Sequence, residues 1–312
     1  MFRTIFTVSY CVLVLSGILS IPSQAADLPT IQANSAQANS GVADSSLFTV
    51  RYPITKELRS LEVYQYELIR RAMELTRDEF GDYQIIPYES RDTLQQRLAA
   101  LIRDGKLVNL VWTSPGTPVA TSDVIRIPID ILHGLLGYRI CLTNVKAPLV
   151  LDEFDRTHSL DFLKIAQGDS WPDLKIYQHN RINAISGPTF NSLFQMLGFR
   201  RFNCLPLGVH EVEVSYDEKK STYPFLAIDD QLLIFYEYPI YLYVSKSQPE
   251  LAKRLELGLG RMQGNGEFER LFKQYYPLAF TKLRLGSRKI ICLKSPFLDQ
   301  SKQCSQPLRI PN

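Results

Sequence analysis

The sequence has no H-E-x-x-H, no C-x-x-C, no G-x-x-x-x-G-K and no G-x-S-x-G. Zincin, zinc-knuckle, P-loop and nucleophile-elbow chemistries therefore have no anchor here. His210-Glu211 begins like a zinc motif, but Val214 stands where the second histidine would be. The other histidines, His133, His158 and His179, show no ligand spacing, so no metal site is expected. Gly258, Gly260, Gly264 and Gly266 follow a helical stripe rather than a strand, so they read as helix termination and not as a phosphate loop. Charge of one sign is lacking too: 35 Lys and Arg face 32 Asp and Glu, and a net charge of +3 is too small for a nucleic-acid surface. After the first 25 residues no apolar run approaches a membrane span.

The chain that remains is 312 residues long and 45% hydrophobic, enough for two lobes of ordinary globular composition. Its start has the layout of a removed secretory signal. Arg3 precedes the short apolar core Val12-Leu13-Val14-Leu15 with Ile18-Leu19, and Ser23-Gln24-Ala25 offers small residues for cleavage before Ala26. Cys11 comes too early for a lipoprotein site. Residues 26–46, rich in Ala, Asn, Ser and Gln, read as a flexible leader. Export makes disulfides available to Cys141, Cys204, Cys292 and Cys304. Cys292 and Cys304 flank a short tail and are the favoured bridge; Cys141 and Cys204 form a second bridge or stay as buried thiols.

From Leu47 the pattern alternates. Residues 47–52 and 83–86 have strand composition, and a helix capped by Ser60 carries Leu61, Tyr64, Leu68, Ala72 and Leu75. A second helix starts near Asp92 and stops at Gly105, before the nearly continuous apolar strand 107–112, which fits a parallel sheet covered on both faces. A similar order follows: strand 138–142, a helix from Ser159 to Gly168, strand 182–185, helix 188–198 and strand 202–205. Strands 231–235 and 240–244 come next, then a long helix opened by Pro249 and a shorter one bearing Phe268, Leu271 and Phe272. Alternating strands and helices define an α/β protein. Signal 1–25, leader 26–46, a first lobe of 47–137 plus 242–293, a second lobe of 138–241 and a tail of 294–312 complete the expected organisation. Hinges fall near residues 137–139 and 237–241.

Several separated segments carry a resemblance. They are Leu110-Val111-Trp112-Thr113-Ser114, Gly134-Leu135-Leu136-Gly137-Tyr138-Arg139, Gly168-Asp169-Ser170-Trp171-Pro172-Asp173, Leu193-Phe194-Gln195-Met196-Leu197 and the run from Arg201 to Glu211. In that order, over about residues 47–293, the chain resembles the family 3 solute-binding proteins, the periplasmic amino-acid-binding class of ABC uptake systems. The resemblance implies a type II periplasmic-binding-protein fold: two α/β lobes, a central cleft and two hinge crossovers. One departure stands out. Family members follow the Thr at this strand end with an Arg that grips the ligand carboxylate, as a bidentate guanidinium does well. Here the segment is Thr113-Ser114-Pro115-Gly116-Thr117-Pro118-Val119, and the next Arg is Arg126, inside an expected strand. On the second lobe, Arg201-Phe202 leads to Asn203 where an acid is expected.

In open α/β sheets ligands sit beyond the carboxyl ends of strands. That rule nominates Arg51, Tyr52, Trp112, Thr113 and Ser114 from the first lobe, and Tyr138, Arg139 and Trp171 from the second. Aromatic faces, hydroxyls and a cation suit a small polar or amino-acid-like solute. The reading is a monomeric, non-catalytic periplasmic binding protein with no cofactor, serving an inner-membrane ABC permease or a sensor and binding no nucleic acid. Two alternatives stand beside it: a degenerate module that binds a protein partner, and a dehydratase-like enzyme drawing an acid or base from Glu89, Asp92, Glu211 or Glu237.

Overall fold

The computed structural model describes residues 47–54, 60–89, 95–276 and 283–299. The expected signal, the leader, Asp92 and Cys304 lie outside these residues. In chain order the elements are β1 (Phe48–Ile54), α1 (Ser60–Glu74), α2 (Arg77–Phe80), β2 (Tyr83–Glu89), α3 (Gln95–Asp104), β3 (Leu110–Thr113) and β4 (Val124–Ile127). The middle of the chain forms β5 (Tyr138–Asn144), α4 (Asp152–Thr157), β6 (Lys164–Gly168), α5 (Asp173–His179), β7 (Asn183–Gly187), α6 (Phe190–Gly198), β8 (Leu205–Gly208), α7 (Val212–Lys219), β9 (Leu226–Ile228) and β10 (Leu232–Phe235). The last elements are β11 (Tyr241–Ser245), α8 (Pro249–Gly264), α9 (Glu267–Tyr275) and β12 (Lys289–Cys292). Among the described residues no helix is long and apolar enough to cross a membrane.

Two groups of strands result. In the first, β1 and β2 pair in parallel and β3-β11-β4 forms an antiparallel ladder. The seam between β1 and β3 runs through Asn109. Its backbone N–H donates to the Arg51 carbonyl, its Oδ1 accepts from the Arg51 N–H at 2.7 Å, and its Nδ2 donates to the Thr49 carbonyl and to Gln248. A fully buried amide is thus satisfied at every atom, which makes its burial tolerable. Strand β3 therefore pairs antiparallel with β11 beside β1 rather than sitting in the parallel sheet its apolar run implied. The covering of both faces is as expected: Leu110 belongs to the core that also holds Leu68, Leu255 and Leu259, while Val111 belongs to a separate core with Leu98, Ile102 and Val119.

The second group orders β12-β10-β5-β8, with β9 on β5 and the parallel pair β6-β7 alongside through the Ile165–Cys204 bridge. All seven residues of β5 are buried, with Ile140 and Leu142 in one core and Cys141 in the other. Cys141 and Cys204 are joined by a disulfide inside this sheet. Cys292 is also disulfide-bonded, and its expected partner Cys304 is outside the described residues. Four sequence expectations are corrected here. Residues 164–168 form β6 and not the end of a helix, because they pair in parallel with β7 and bridge to Cys204, which buries Ile165 to Gly168 consecutively. Ser159 accepts from the Asp161 N–H in a local turn, not as a helix cap. The strand expected at 202–205 starts at Leu205. Finally β12, carried with the first lobe in the sequence reading, hydrogen-bonds to β10 of the second group.

The chain passes between the groups through residues 128–137 and 236–240, and the two passages run side by side. Phe235 pairs with Tyr138, and the Tyr236 N–H donates to the Gly137 carbonyl. A Cβ on Gly137 would lie 2.2 Å from the Tyr236 carbonyl oxygen, so only glycine permits this approach. Asp130 ties the passages together by accepting from the N–H groups of Leu132, Gly134 and Ile240. Burial still pushes its carboxyl upward from the ordinary value against the pull of those three donors. A third crossing follows β12. The Leu293 N–H donates to the Phe235 carbonyl, Lys294 makes reciprocal backbone hydrogen bonds with the Asn180 amide, and the Phe297 ring lies over Gly116 in the loop after β3.

Candidate functional site

A cleft of about 350 Å³ opens where the carboxyl ends of β3, β6 and β8 meet the second crossover. Trp112, Thr113, Ser114 and Thr117 line it from the first group. Ser170, Trp171, Asp173 and Glu211 line it from the second, together with Arg139 near the start of β5, and Tyr238 comes from the second crossover. Local sequence explains each position. After Thr113 the loop is a turn held by hydroxyls: Thr113 donates to Thr117 Oγ1 at 3.2 Å, and Thr117 donates to the Ser114 carbonyl. After β6 the Trp171 N–H closes a turn onto the Gly168 carbonyl, and Pro172, with its fixed φ, leads into α5 so that Asp173 falls in the first turn. The Trp171 ring packs on Gly168, where an added Cβ would lie 2.9 Å away.

The chemistry of the cleft centres on a buried ion pair. Arg139 Nη2 lies 2.8 Å from Asp173 Oδ1, with the two side chains only 7% and 8% exposed. Tyr236 donates to the same carboxylate oxygen, and the Tyr177 and Tyr236 hydroxyls meet at 3.2 Å. The Arg139 guanidinium lies 5.5 Å from each of the Tyr236 and Tyr238 ring centroids. Its Nη1 is 3.7 Å from Glu211 Oε2, and Glu211 also accepts from the Gly208 N–H. Burial disfavours the guanidinium charge, but Asp173 overrides it and holds the pKa of Arg139 well above its ordinary value. Burial likewise pushes the Tyr236 and Tyr238 hydroxyls well above the usual phenol range, so both stay protonated. Beside this cluster His210 is buried, with no hydrogen-bond partner on either ring nitrogen among the described residues; its Nε2 is 3.5 Å from Glu211 Oε1. Desolvation lowers its pKa, so the imidazole is neutral. Among the described residues no cluster of three metal-ligating side chains exists.

Of the eight residues nominated from sequence, Trp112, Thr113, Ser114, Arg139 and Trp171 converge on this cleft. Three do not. Tyr52 is fully buried, packed 5.3 Å from Trp112 behind the cleft wall. Tyr138 is 4% exposed and packs on Phe235 at the crossover. Arg51 faces a separate groove with Gln248, Pro249 and Glu250. Alternation of side chains along a strand accounts for Tyr138, since the adjacent Arg139 takes the cleft face, whereas Arg51 and Tyr52 take the two opposite faces of β1 and neither lines the cleft. Arg126, the first cation after the Arg-less loop, is exposed on β4 over the Tyr241 ring and lines a different groove with Gly116 and Phe297. Sequence reasoning missed Asp173, Tyr236 and Tyr238. The first was visible as an acid just after Trp171-Pro172, where a helix is about to start, and the tyrosines as an aromatic cluster inside the expected hinge.

The chain matches no protein-family model and no curated protein in sequence. Solved structures do resemble it. The probable amino-acid ABC transporter extracellular-binding protein YtmK of Bacillus subtilis aligns with a TM-score of 0.51 at 12% identity, covering 73% of this chain and 97% of that one. A Salmonella typhimurium periplasmic binding protein described for high arginine specificity aligns at 0.48 and 13%, covering 73% and 98%. A histidine kinase sensor domain with similarity to periplasmic binding proteins aligns at 0.49 and 14%, covering 74% and 96%. The first likeness bears on the fold alone, and there it agrees with the paired crossovers and the cleft between two strand groups. The chain has the two-lobed α/β fold of the periplasmic binding proteins.

Proposed function

We propose that this chain is an exported solute-binding protein that captures a small polar solute of amino-acid size between its lobes, without catalysis, for an ABC permease or a sensor. The lobes in this reading are residues 47–137 with the β11–α9 segment, and residues 138–235 with β12. The observation that carries the proposal is the composition of the cleft: two tryptophans and a tyrosine, several hydroxyls and a buried charge pair, gathered from both strand groups beside the two crossovers. Such a wall recognises a small solute, and a solute touching both lobes favours the closed arrangement by its differential affinity. An enzyme would need an acid or base free to exchange a proton, whereas Asp173 is held by Arg139 and Tyr236. Glu89 and Glu237 do not line the cleft, and Glu211, which does, accepts from the Gly208 N–H and faces Arg139.

The test is a thermal-shift screen of the mature protein against amino acids, amines, sugars, organic acids and small peptides. A ligand at a hundredfold excess over Kd adds about 2.7 kcal/mol of apparent stability, a shift easily read. The hit should vanish in Trp171→Ala and Trp112→Ala and persist in Arg51→Ala, whose side chain faces the other groove. A hit that needs Arg51 and ignores both tryptophans would place the site elsewhere and defeat this reading.

A further inference from the structure

We infer that Asp173 is a built-in counter-ion that closes Arg139 to ligands, so the cleft takes a solute without a carboxylate: an amine, alcohol or amide rather than an amino acid or organic acid. The inference rests on the solute-binding reading of this same cleft and narrows its ligand class. A guanidinium recognises a carboxylate through its fork of N–H donors or through its faces. In Arg139 one donor is taken by a protein carboxylate, a second is directed at another, and the third is buried away from the cleft. The Asp173 carboxylate sits against Nη2, and Nη1 is turned toward Glu211. Nε is buried, with no hydrogen-bond partner among the described residues and no exposed surface for a ligand to approach, and tyrosine rings lie near the guanidinium at equal distances. A ligand carboxylate reaching Arg139 would have to evict Asp173 and leave it buried without its cation, which is a heavily disfavoured exchange.

No other guanidinium or ammonium among the described lining residues can substitute. The loop after Thr113 is a compact hydroxyl-bonded turn, and Arg126 faces the other groove. The remaining lining consists of the Trp112, Trp171 and Tyr238 rings and the Thr113, Ser114 and Ser170 hydroxyls. Aromatic faces attract ammonium groups and stack on apolar ones, and hydroxyls pair with neutral donors and acceptors. The polar groups of the cleft therefore suit every part of an amino acid except its carboxylate.

Matched ligand pairs that differ by one carboxylate test the inference by calorimetry on the intact protein: cadaverine with lysine, agmatine with arginine, tyramine with tyrosine, and glucose with glucuronate. The member lacking the carboxylate should bind at least tenfold more tightly in whichever pair binds. Asp173→Asn, by freeing Arg139, should move that ratio at least tenfold toward the carboxylate-bearing member. Equal affinities within a pair, or preference for the acid in the wild type, would overturn the inference while leaving solute binding intact. An unchanged ratio in a folded Asp173→Asn would also overturn it. If that variant does not fold, the wild-type ratio decides alone. Silence from both halves of every pair, and from the wider screen, would overturn solute binding and the inference with it.

Discussion

The Arg139–Asp173 pair sets up a double-mutant cycle whose sign follows from burial. Both side chains are more than nine-tenths hidden, and Tyr236 shares the carboxylate. In Arg139→Met the Asp173 carboxylate keeps the Tyr236 hydroxyl but loses its only close cation among the described residues. In Asp173→Leu the guanidinium is left between tyrosine rings without its nearest anion. Breaking a buried pair from one side costs about 3–5 kcal/mol, because the surviving charge has lost water and partner together. Replacing both partners with apolar residues of similar volume removes the charges altogether, and such swaps are commonly neutral or better. In the double variant Tyr236 keeps the Tyr177 hydroxyl, so no new orphan is made there. Each single variant should therefore lower stability by about 3–5 kcal/mol, while Arg139→Met/Asp173→Leu costs less than either. In Tm, at about 2–4 °C per kcal/mol for a chain of this size, the singles fall by roughly 6–20 °C and the double recovers most of it. Urea unfolding with fluorescence detection, checked for constant slope, gives the three free energies. A double variant whose loss equals the sum of the singles would refute the reasoning, because the two charges would then not be compensating each other.

Three other outcomes follow from packing, cross-linking and protonation. Gly258→Ala would put a Cβ 2.2 Å from the Ala72 carbonyl oxygen, where α8 crosses α1; the helices must separate, and urea unfolding should show a loss of roughly 2 kcal/mol or more, against a slight gain if the contact were loose. Removing the disulfide by Cys141→Ala/Cys204→Ala opens a link between residues 63 apart in sequence. The chain-entropy relation gives about 4 kcal/mol for a loop of that size, to be read as a drop in calorimetric Tm of roughly 8–16 °C. His210 has a pKa lowered from 6.5 by burial, so its neutral form belongs to the fold and the unfolded chain takes the proton more readily. Its contribution is therefore fully present above about pH 6.5 and is lost as pH falls below it, with His133 acting in the same direction. His210→Phe should flatten the Tm profile between pH 7.5 and 5, and an unchanged profile would contradict the burial argument.

Local signals in the sequence carried the long elements. Ser60 opens α1, Pro249 opens α8, and Leu251, Leu255, Leu259 and Met262 are all buried as their spacing requires. The misread stretch 159–168 shows where such signals end. A fully buried strand and a buried helical turn have the same composition over five residues, and only the neighbouring β7 and Cys204 decide between them. Whether β3 pairs parallel or antiparallel depends on β11, more than a hundred residues later in the chain, and no local pattern encodes that pairing. In the cleft, Trp112, Thr113, Ser114, Arg139 and Trp171 were legible because strand ends and an aromatic loop can be read from one segment. The partner of Arg139 was not, since Asp173 approaches from another strand–helix unit and Tyr236 from the return crossover. Tyr138 was placed in the cleft because the rule names strand ends without saying which face each side chain takes, and Arg51 and Tyr52 because it does not say which strand ends reach the cleft.

The tail after β12 has a mechanical consequence. Two neighbouring strand passages define an axis about which the halves can swing, but they say little about how far. Asn180 grips Lys294 on one half and Phe297 presses on Gly116 of the other, leaving three peptide steps between the two grips. Three steps span roughly 11 Å at full stretch, at 3.8 Å each. Any swing that carries Asn180 away from Gly116 meets that stop, and going further means lifting the phenylalanine or tearing the asparagine bonds. The crossovers supply the pivot, and these few residues act as its tether, setting the largest angle the jaws can reach while both grips hold.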